Sequence, residues 1–213
     1  MKRVFIGVLF FSIVTYACIS RAAPEPALVS GPGIWTLDTK FTTPLPIIIN
    51  TGNEGKSIRF WYTIITITNN TRNDVDFYLC SDLMTDTFEV IPSGKSVPSI
   101  VFNQLKQRYQ RTYPFLESSD KTENKVLQGE DNTKDIAIIW PDFDAKARNI
   151  TIYISGLSNE TAVIDHPVEK DQEGKAVKVY LRKTLELNYN LKGDPASGND
   201  IGMSFISKRW IMR

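Results

Sequence analysis

The twelve residues 57–68 (Ser-Ile-Arg-Phe-Trp-Tyr-Thr-Ile-Ile-Thr-Ile-Thr) constrain the fold more than any other stretch. Phe60, Tyr62 and Ile64 point to one side of an extended chain, while Trp61, Ile65 and Ile67 point to the other. β-Branched and aromatic residues favour a strand, and apolar residues on both faces require that strand to be central and covered on both sides. Residues 176–191 supply a second long strand, in which Val177, Val179, Leu181, Leu185, Leu187, Tyr189 and Leu191 alternate on one face. Lys183 interrupts that apolar set. The expectation is a bulge or kink that carries its ammonium into water, because a buried unpaired charge is expensive.

Shorter strand signals fill most of the remainder. In residues 33–42, Trp35, Leu37, Thr39 and Phe41 alternate, and a further run, 45–50, follows Pro44. The turn-rich run Asn69-Asn70-Thr71-Arg72-Asn73-Asp74 followed by alternating Val75, Phe77 and Leu79 predicts a hairpin on the central strand. Strands are also expected at 82–91, 136–140 and 149–155. One helix is predicted over 98–111, where Val101, Leu105 and Tyr109 recur every four residues and Phe102 widens the stripe. Ser96 or Val97 is its expected cap, with Pro98 at the first helical position. The fold class is therefore mainly β: an immunoglobulin-like two-sheet sandwich, residues 33–192, with one inserted amphipathic helix.

The ends of the chain read differently. Lys2 and Arg3 precede an apolar run, Val4 to Ala17, closed by Ser20-Arg21-Ala22, which is the pattern of a secretory signal peptide cut before Ala23. The run is short for a membrane span, which takes about 20 residues. Cys18 offers the rival reading of a lipidated N-terminus, although bulky Tyr16 interrupts the small-residue consensus. Residues 23–32 read as an extended leader, since Pro24 and Pro26 oppose both helix and ladder. At the other end, 193–202 is a loop of Gly, Asp, Pro, Ser and Asn, and 203–213 is a short basic strand or tail carrying Phe205, Arg209, Trp210 and Ile211.

Export sets what chemistry to look for. Removing Lys2, Arg3 and Arg21 takes the 25 basic residues to 22 against 24 acidic ones, so the mature chain has no cationic excess with which to hold nucleic acid or an anionic membrane. Only Cys80 then remains, and a lone cysteine forms no internal disulfide. It is expected as a small buried thiol at the end of a strand. The single histidine, His166, beside Pro167 in an acidic stretch, is expected as a solvated loop residue, and no nucleophile elbow accompanies it. Clustered Cys and His for transition metals or haem are missing. Calcium has candidate ligands in Glu130, Asp131 and Asp135, or Asp142 and Asp144, although the EF-hand glycine is lacking. Asp82 and Asp86 are the carboxylate pair that a small glycosidase-like hydrolase would need. Sequons begin at Asn69, Asn149 and Asn159. Trp35, Trp61, Trp140 and Trp210 all occupy strand-like positions, as core residues would.

The run from Tyr62 to Tyr78 resembles the B-to-C hairpin of bacterial immunoglobulin-like and fibronectin-type sandwiches, and Trp140-Pro141-Asp142-Phe143-Asp144 with 150–157 continues the likeness. Gly33-Ile-Trp-Thr-Leu-Asp, Tyr113-Pro-Phe-Leu, Leu127-Gln-Gly-Glu-Asp-Asn and the terminal Lys208-Arg-Trp-Ile-Met-Arg resemble a group of small exported planctomycete proteins. That resemblance implies an extracytoplasmic setting and a sandwich, and it brings no catalytic residues. The expected function is a non-catalytic protein-binding module, an accessory or assembly subunit of an extracytoplasmic complex. Its expected partner is another protein or a second copy, engaged by Phe205, Arg209, Trp210 and Ile211, with the tail either closing its own sheet or adding to another chain's edge. A calcium- or ligand-binding adhesion module and the small hydrolase are the alternatives.

Overall fold

In the computed structural model the described residues are 23–27, 31–50, 57–193 and 201–213, so the signal-like segment and Cys18 lie outside them, as do 194–200 of the predicted loop. The first strands are β1 (Asp38–Phe41), β2 (Leu45–Asn50), β3 (Ser57–Asn69), β4 (Val75–Asp76), β5 (Cys80–Thr85) and β6 (Val90–Pro92). The helix α1 (Ser99–Arg108) and the short strands β7 (Glu117–Ser118) and β8 (Lys125–Val126) come next. The chain ends with β9 (Gly129–Pro141), β10 (Asn149–Ser155), β11 (Thr161–Lys170), β12 (Ala176–Lys192) and β13 (Gly202–Met212).

β3 is central, as its two apolar faces require. β9 pairs along one of its edges, and β1 and β2 share the other, with β7 added outside β9. Phe60, Tyr62 and Ile64 pack with Ile47, Ile49, Val101, Leu105 and Leu116, so α1 covers one face of this sheet. Trp61, Ile65 and Ile67 pack in a larger core with Ile150, Ile152 and Ile154 of β10 and Leu185, Leu187 and Tyr189 of β12. The second sheet thus covers the other face, and the described residues form a β-sandwich of two main sheets with one helix. Trp61 and Trp140 are fully buried, while Trp35 and Trp210 pack against this core partly exposed.

The second sheet runs β11-β12-β10-β5-β6, with β13 on β12. Residues 185–190 of β12 pair with β10 on one edge and with β13 on the other. β13 therefore closes its own sheet, and the alternative of a tail free to join another chain does not describe this molecule. β11 pairs with 176–182 of β12, and the two strands form a ribbon that runs past the end of β13.

Several local expectations are corrected. The hairpin after β3 does not form: Val75 and Asp76 pair with Val126 and Lys125 of β8. Both edges of β3 are already taken by β9 and by β1 and β2, so no edge is left for it. The strand expected over 82–91 is a hairpin of β5 and β6, turned by Thr85, whose carbonyl accepts from Phe88 N–H and whose hydroxyl accepts from Glu89 N–H. The strand expected over 33–42 is shorter: Leu37 N–H donates to Leu157 O, in the stretch between β10 and β11, and only residues 38–41 pair with β3. Pro98 itself is the helix N-cap, with extended backbone and no side-chain cap bond, in place of Ser96 or Val97. His166 lies within β11, a strand the sequence pattern did not announce, and its Nδ1 accepts from Glu169 N–H at 2.8 Å. Cys80 is exposed rather than buried.

Candidate functional site

The interruption at Lys183 marks the site. Lys183 lies on the core-facing side of β12 with no bulge there, and its ammonium stays inside the protein, 6 % exposed. Glu160 makes this tolerable. It follows β10, is 7 % exposed, and accepts from Lys183 Nζ at 2.8 Å. The expectation of a solvated ammonium is thus corrected: a buried charge is stable when paired and hydrogen bonded. The ammonium also sits 5.4 Å from the centre of the Trp210 ring, within cation–π range.

Each member of the pair bonds once more, and both reach the same residue. Ala27 N–H donates to Glu160 Oε1 at 2.7 Å, and Lys183 Nζ donates to Ala27 O at 3.2 Å. Burial pushes the Glu160 carboxyl up, but the Ala27 N–H, the Lys183 hydrogen bond and the Lys183 charge outweigh it and hold the group below its ordinary value. The site is braced by the approach to β1. Asn159 accepts from Trp35 N–H at 2.8 Å and donates to Gly33 O at 2.9 Å, and Ser158 Oγ donates to Trp35 O at 2.7 Å.

A cavity of about 600 Å³ opens beside this grip, between Ala23–Ala27 on one side and Lys183, Thr36 and β13 on the other. Four consecutive residues of β13, Arg209 to Met212, line it. Because successive side chains in a strand alternate faces, consecutive lining means that the cavity runs along the strand's edge. Arg182 and Arg213 exchange both backbone hydrogen bonds, so by the same alternation Trp210 and Met212 direct their N–H and C=O away from β12. No backbone hydrogen bond joins Ala23–Ala27 to β13 among the described residues. Thr36 and Trp210 also line a second cavity of about 240 Å³.

Compared with protein families, curated proteins and solved structures, the chain matches none. The site is therefore read from its own chemistry.

Of the predicted partner-binding residues, Arg209, Trp210 and Ile211 line the large cavity, with the Arg209 guanidinium also bonded to Glu186 at 2.6 and 3.1 Å. Phe205 is elsewhere, packed between Phe41 and Tyr189. The calcium candidates are not brought together, and no three of His, Cys, Asp and Glu gather among the described residues. Asp135 accepts from Thr66, Asp142 from Arg59 and Trp61, and Asp144 from Lys146 N–H. Asp82 and Asp86 have separate duties: Asp82 accepts from Arg213, and Asp86 from the backbone N–H of Arg148 and Asn149. Each sequon asparagine bonds its own surroundings: Asn69 holds Val126 O, Asn149 donates to Asp86, and Asn159 holds Gly33. Glu160 and Ala27 were missed by sequence reasoning. The available signal was Lys183 itself, since a lysine in an apolar stripe calls for a carboxylate somewhere.

Proposed function

We propose that the protein is an exported, non-catalytic binding subunit that joins an extracytoplasmic complex through the edge of β13. The observation that carries this reading is the cavity along residues 209–212, flanked by a buried ion pair that already holds the main-chain N–H and C=O of one residue, Ala27. A strand edge with outward N–H and C=O groups supplies affinity to an added extended segment, and an aromatic beside it supplies a pocket. The β11–β12 ribbon adds support, because Val168 and Tyr180 on it are 82 % and 73 % exposed, as contact residues are before a partner covers them. The basic and apolar pattern of residues 1–22 supports export. Among the described residues no helix is long and apolar enough to cross a membrane.

The test is recovery of the chain from its native host with its mass measured in solution, beside a Lys208→Pro variant. The N–H of Lys208 points away from β12 by the same alternation, so proline there removes the outward donor next before Trp210, and with it part of the ladder an added strand would use, while sparing the β12 ladder. A stoichiometric companion on the unaltered chain, lost from an equally stable variant, is the expected result. A lone monomer, or a companion indifferent to the substitution, overturns the reading.

A further inference from the structure

The grip on Ala27 is made to main-chain atoms alone. Glu160 takes its N–H and Lys183 its C=O, while the residue as a whole stays exposed. Those two groups belong to every residue except proline, so the pair recognises an extended chain and not an alanine. The rest of Ala23–Ala27 adds little: Pro26 alone is half-buried, and Ala23, Pro24 and Glu25 are exposed. Pro24 and Pro26 have no N–H with which to ladder onto β13. Among the described residues the segment thus lies beside the strand edge, hydrogen bonded at Ala27, with the cavity of about 600 Å³ between them. That volume is within the range of pockets that hold small ligands, roughly 300–1,000 Å³.

Resting on the reading of this edge as a binding surface, we infer that the groove lined by Lys183, Trp210 and Met212, together with Glu160 paired to Lys183, is a receptor for an extended peptide in which proline precedes the gripped residue. The chain's own Ala23–Ala27 is its resident, exchangeable occupant. With Ala27 in place the ion pair is buried, and beyond their mutual bond Glu160 and Lys183 offer one acceptor and one donor, which the N–H and C=O of a single residue satisfy. Proline before the gripped residue fixes its own φ and restricts the residue that precedes it, which lowers the conformational entropy that the peptide loses on docking. The resident segment meets both requirements with little contact area, which makes it a competitor in cis. A receptor occupied in this way binds an external peptide in proportion to the fraction of time that the groove stands open.

The experiment uses a fluorescein-labelled peptide, Ala-Pro-Glu-Pro-Ala-Leu, and a control, Ala-Pro-Glu-Pro-Pro-Leu, which lacks the gripped N–H. Both are titrated by fluorescence anisotropy against the mature chain from Ala23 and against the same chain carrying Ala27→Pro, which releases the resident segment. The first peptide is expected to bind the variant roughly tenfold tighter than it binds the unaltered chain, as for a groove open about a tenth of the time. The control peptide is expected to bind neither. A chain beginning at Gly31 is the second form of the open groove and is expected to match the variant. Absence of binding to both open forms overturns the proposal, and so does equal binding of the two peptides. Loss of a cooperative melt in both open forms also overturns it, since the segment would then be part of the fold and not an occupant. Failure here with a companion still lost in Lys208→Pro leaves the binding-subunit reading in place. Peptide binding with no companion removes that reading instead.

Discussion

Replacing Lys183 by Met tests the electrostatics of the site directly. Methionine keeps most of the side-chain volume and removes the ammonium, leaving Glu160 at 7 % exposure with the Ala27 N–H as its one remaining partner from the site. Breaking a buried pair in this way costs about 3–5 kcal/mol, because the stranded charge must be desolvated without compensation. For a chain of this size that corresponds to a fall in Tm of roughly 6–20 °C. Adding Glu160→Gln removes the stranded charge, so the double variant is expected within about 1 kcal/mol of the parent, and the coupling energy of the cycle measures the pair. The pH dependence carries a sign. In the parent, Glu160 titrates below its ordinary 4.5, so its contribution is complete above about pH 4.5 and is lost as pH falls through the lower folded value. In Lys183→Met the carboxyl has lost its ammonium, and burial favours its neutral form, so acid relieves the defect. The gap between parent and single variant therefore narrows as pH falls from the variant's raised value, above 4.5, to the parent's lowered one. Urea unfolding followed by tryptophan fluorescence at pH 7 and pH 4 reads all of this. A single variant within about 0.5 kcal/mol of the parent at pH 7 refutes the reasoning, as does a double variant no better than the single.

Other substitutions probe the frame around the site. Gly156 sits just before the segment that carries Glu160, at φ +88°, and a Cβ there would lie 2.0 Å from Tyr78 O; Gly156→Ala is expected to cost at least about 3 kcal/mol, and a melt within a few degrees of the parent contradicts that. Phe88 is 88 % exposed and holds φ at +65°, so Phe88→Gly is expected to stabilise by about 0.5–1 kcal/mol in urea titration, and destabilisation refutes the strain. The Tyr62 phenol is pushed up to about 12, first by burial and then by its bond to Tyr109. Its contribution to stability is present below pH 10 and is lost as pH rises toward 12, so ultraviolet titration should show one fewer late phenol in Tyr62→Phe, with those of Tyr153 and Tyr189 remaining.

The long elements were legible because their patterns answer to burial alone. β3 has two apolar faces because α1 covers one and the second sheet the other, and the assignment of Phe60, Tyr62 and Ile64 against Trp61, Ile65 and Ile67 follows from that. β10 and β12 carry one apolar face each and were equally plain. What failed depends on distant neighbours. Val75 and Phe77 alternate like a partner for β3, yet whether an edge is free is decided by β9, some sixty residues later. β11 escaped notice because its ribbon is half-solvated and carries Asp165, His166 and Pro167 amid its apolar residues. At the site, the aromatic and basic tail pointed to Arg209, Trp210 and Ile211, but Glu160 and Ala27 are 133 residues apart, and no local pattern announces that bond. The same blindness misread Lys183, since a charge in an apolar stripe looks like an outlier until its counterion is in view.

The edge of β13 is guarded in two different ways along its length. Near its start, the register with β12 slips between Asn188 and Tyr189, leaving Ile206 as an extra, exposed residue, and Lys208 follows. A bulge and a lysine are ordinary means of discouraging indiscriminate strand pairing. From Arg209 to Met212 the pairing with β12 is regular, and neither device is present. Here the guard is Ala23–Ala27, whose two prolines make it a poor template for further strands. A segment meant only to cover the edge would be expected to lie against it and fill the space. This one is fastened to a buried ion pair and leaves a cavity between itself and the strand. On the proposed reading, protection that stops short of filling keeps the edge closed to any passing strand and open to a segment that takes over the two bonds held by Ala27.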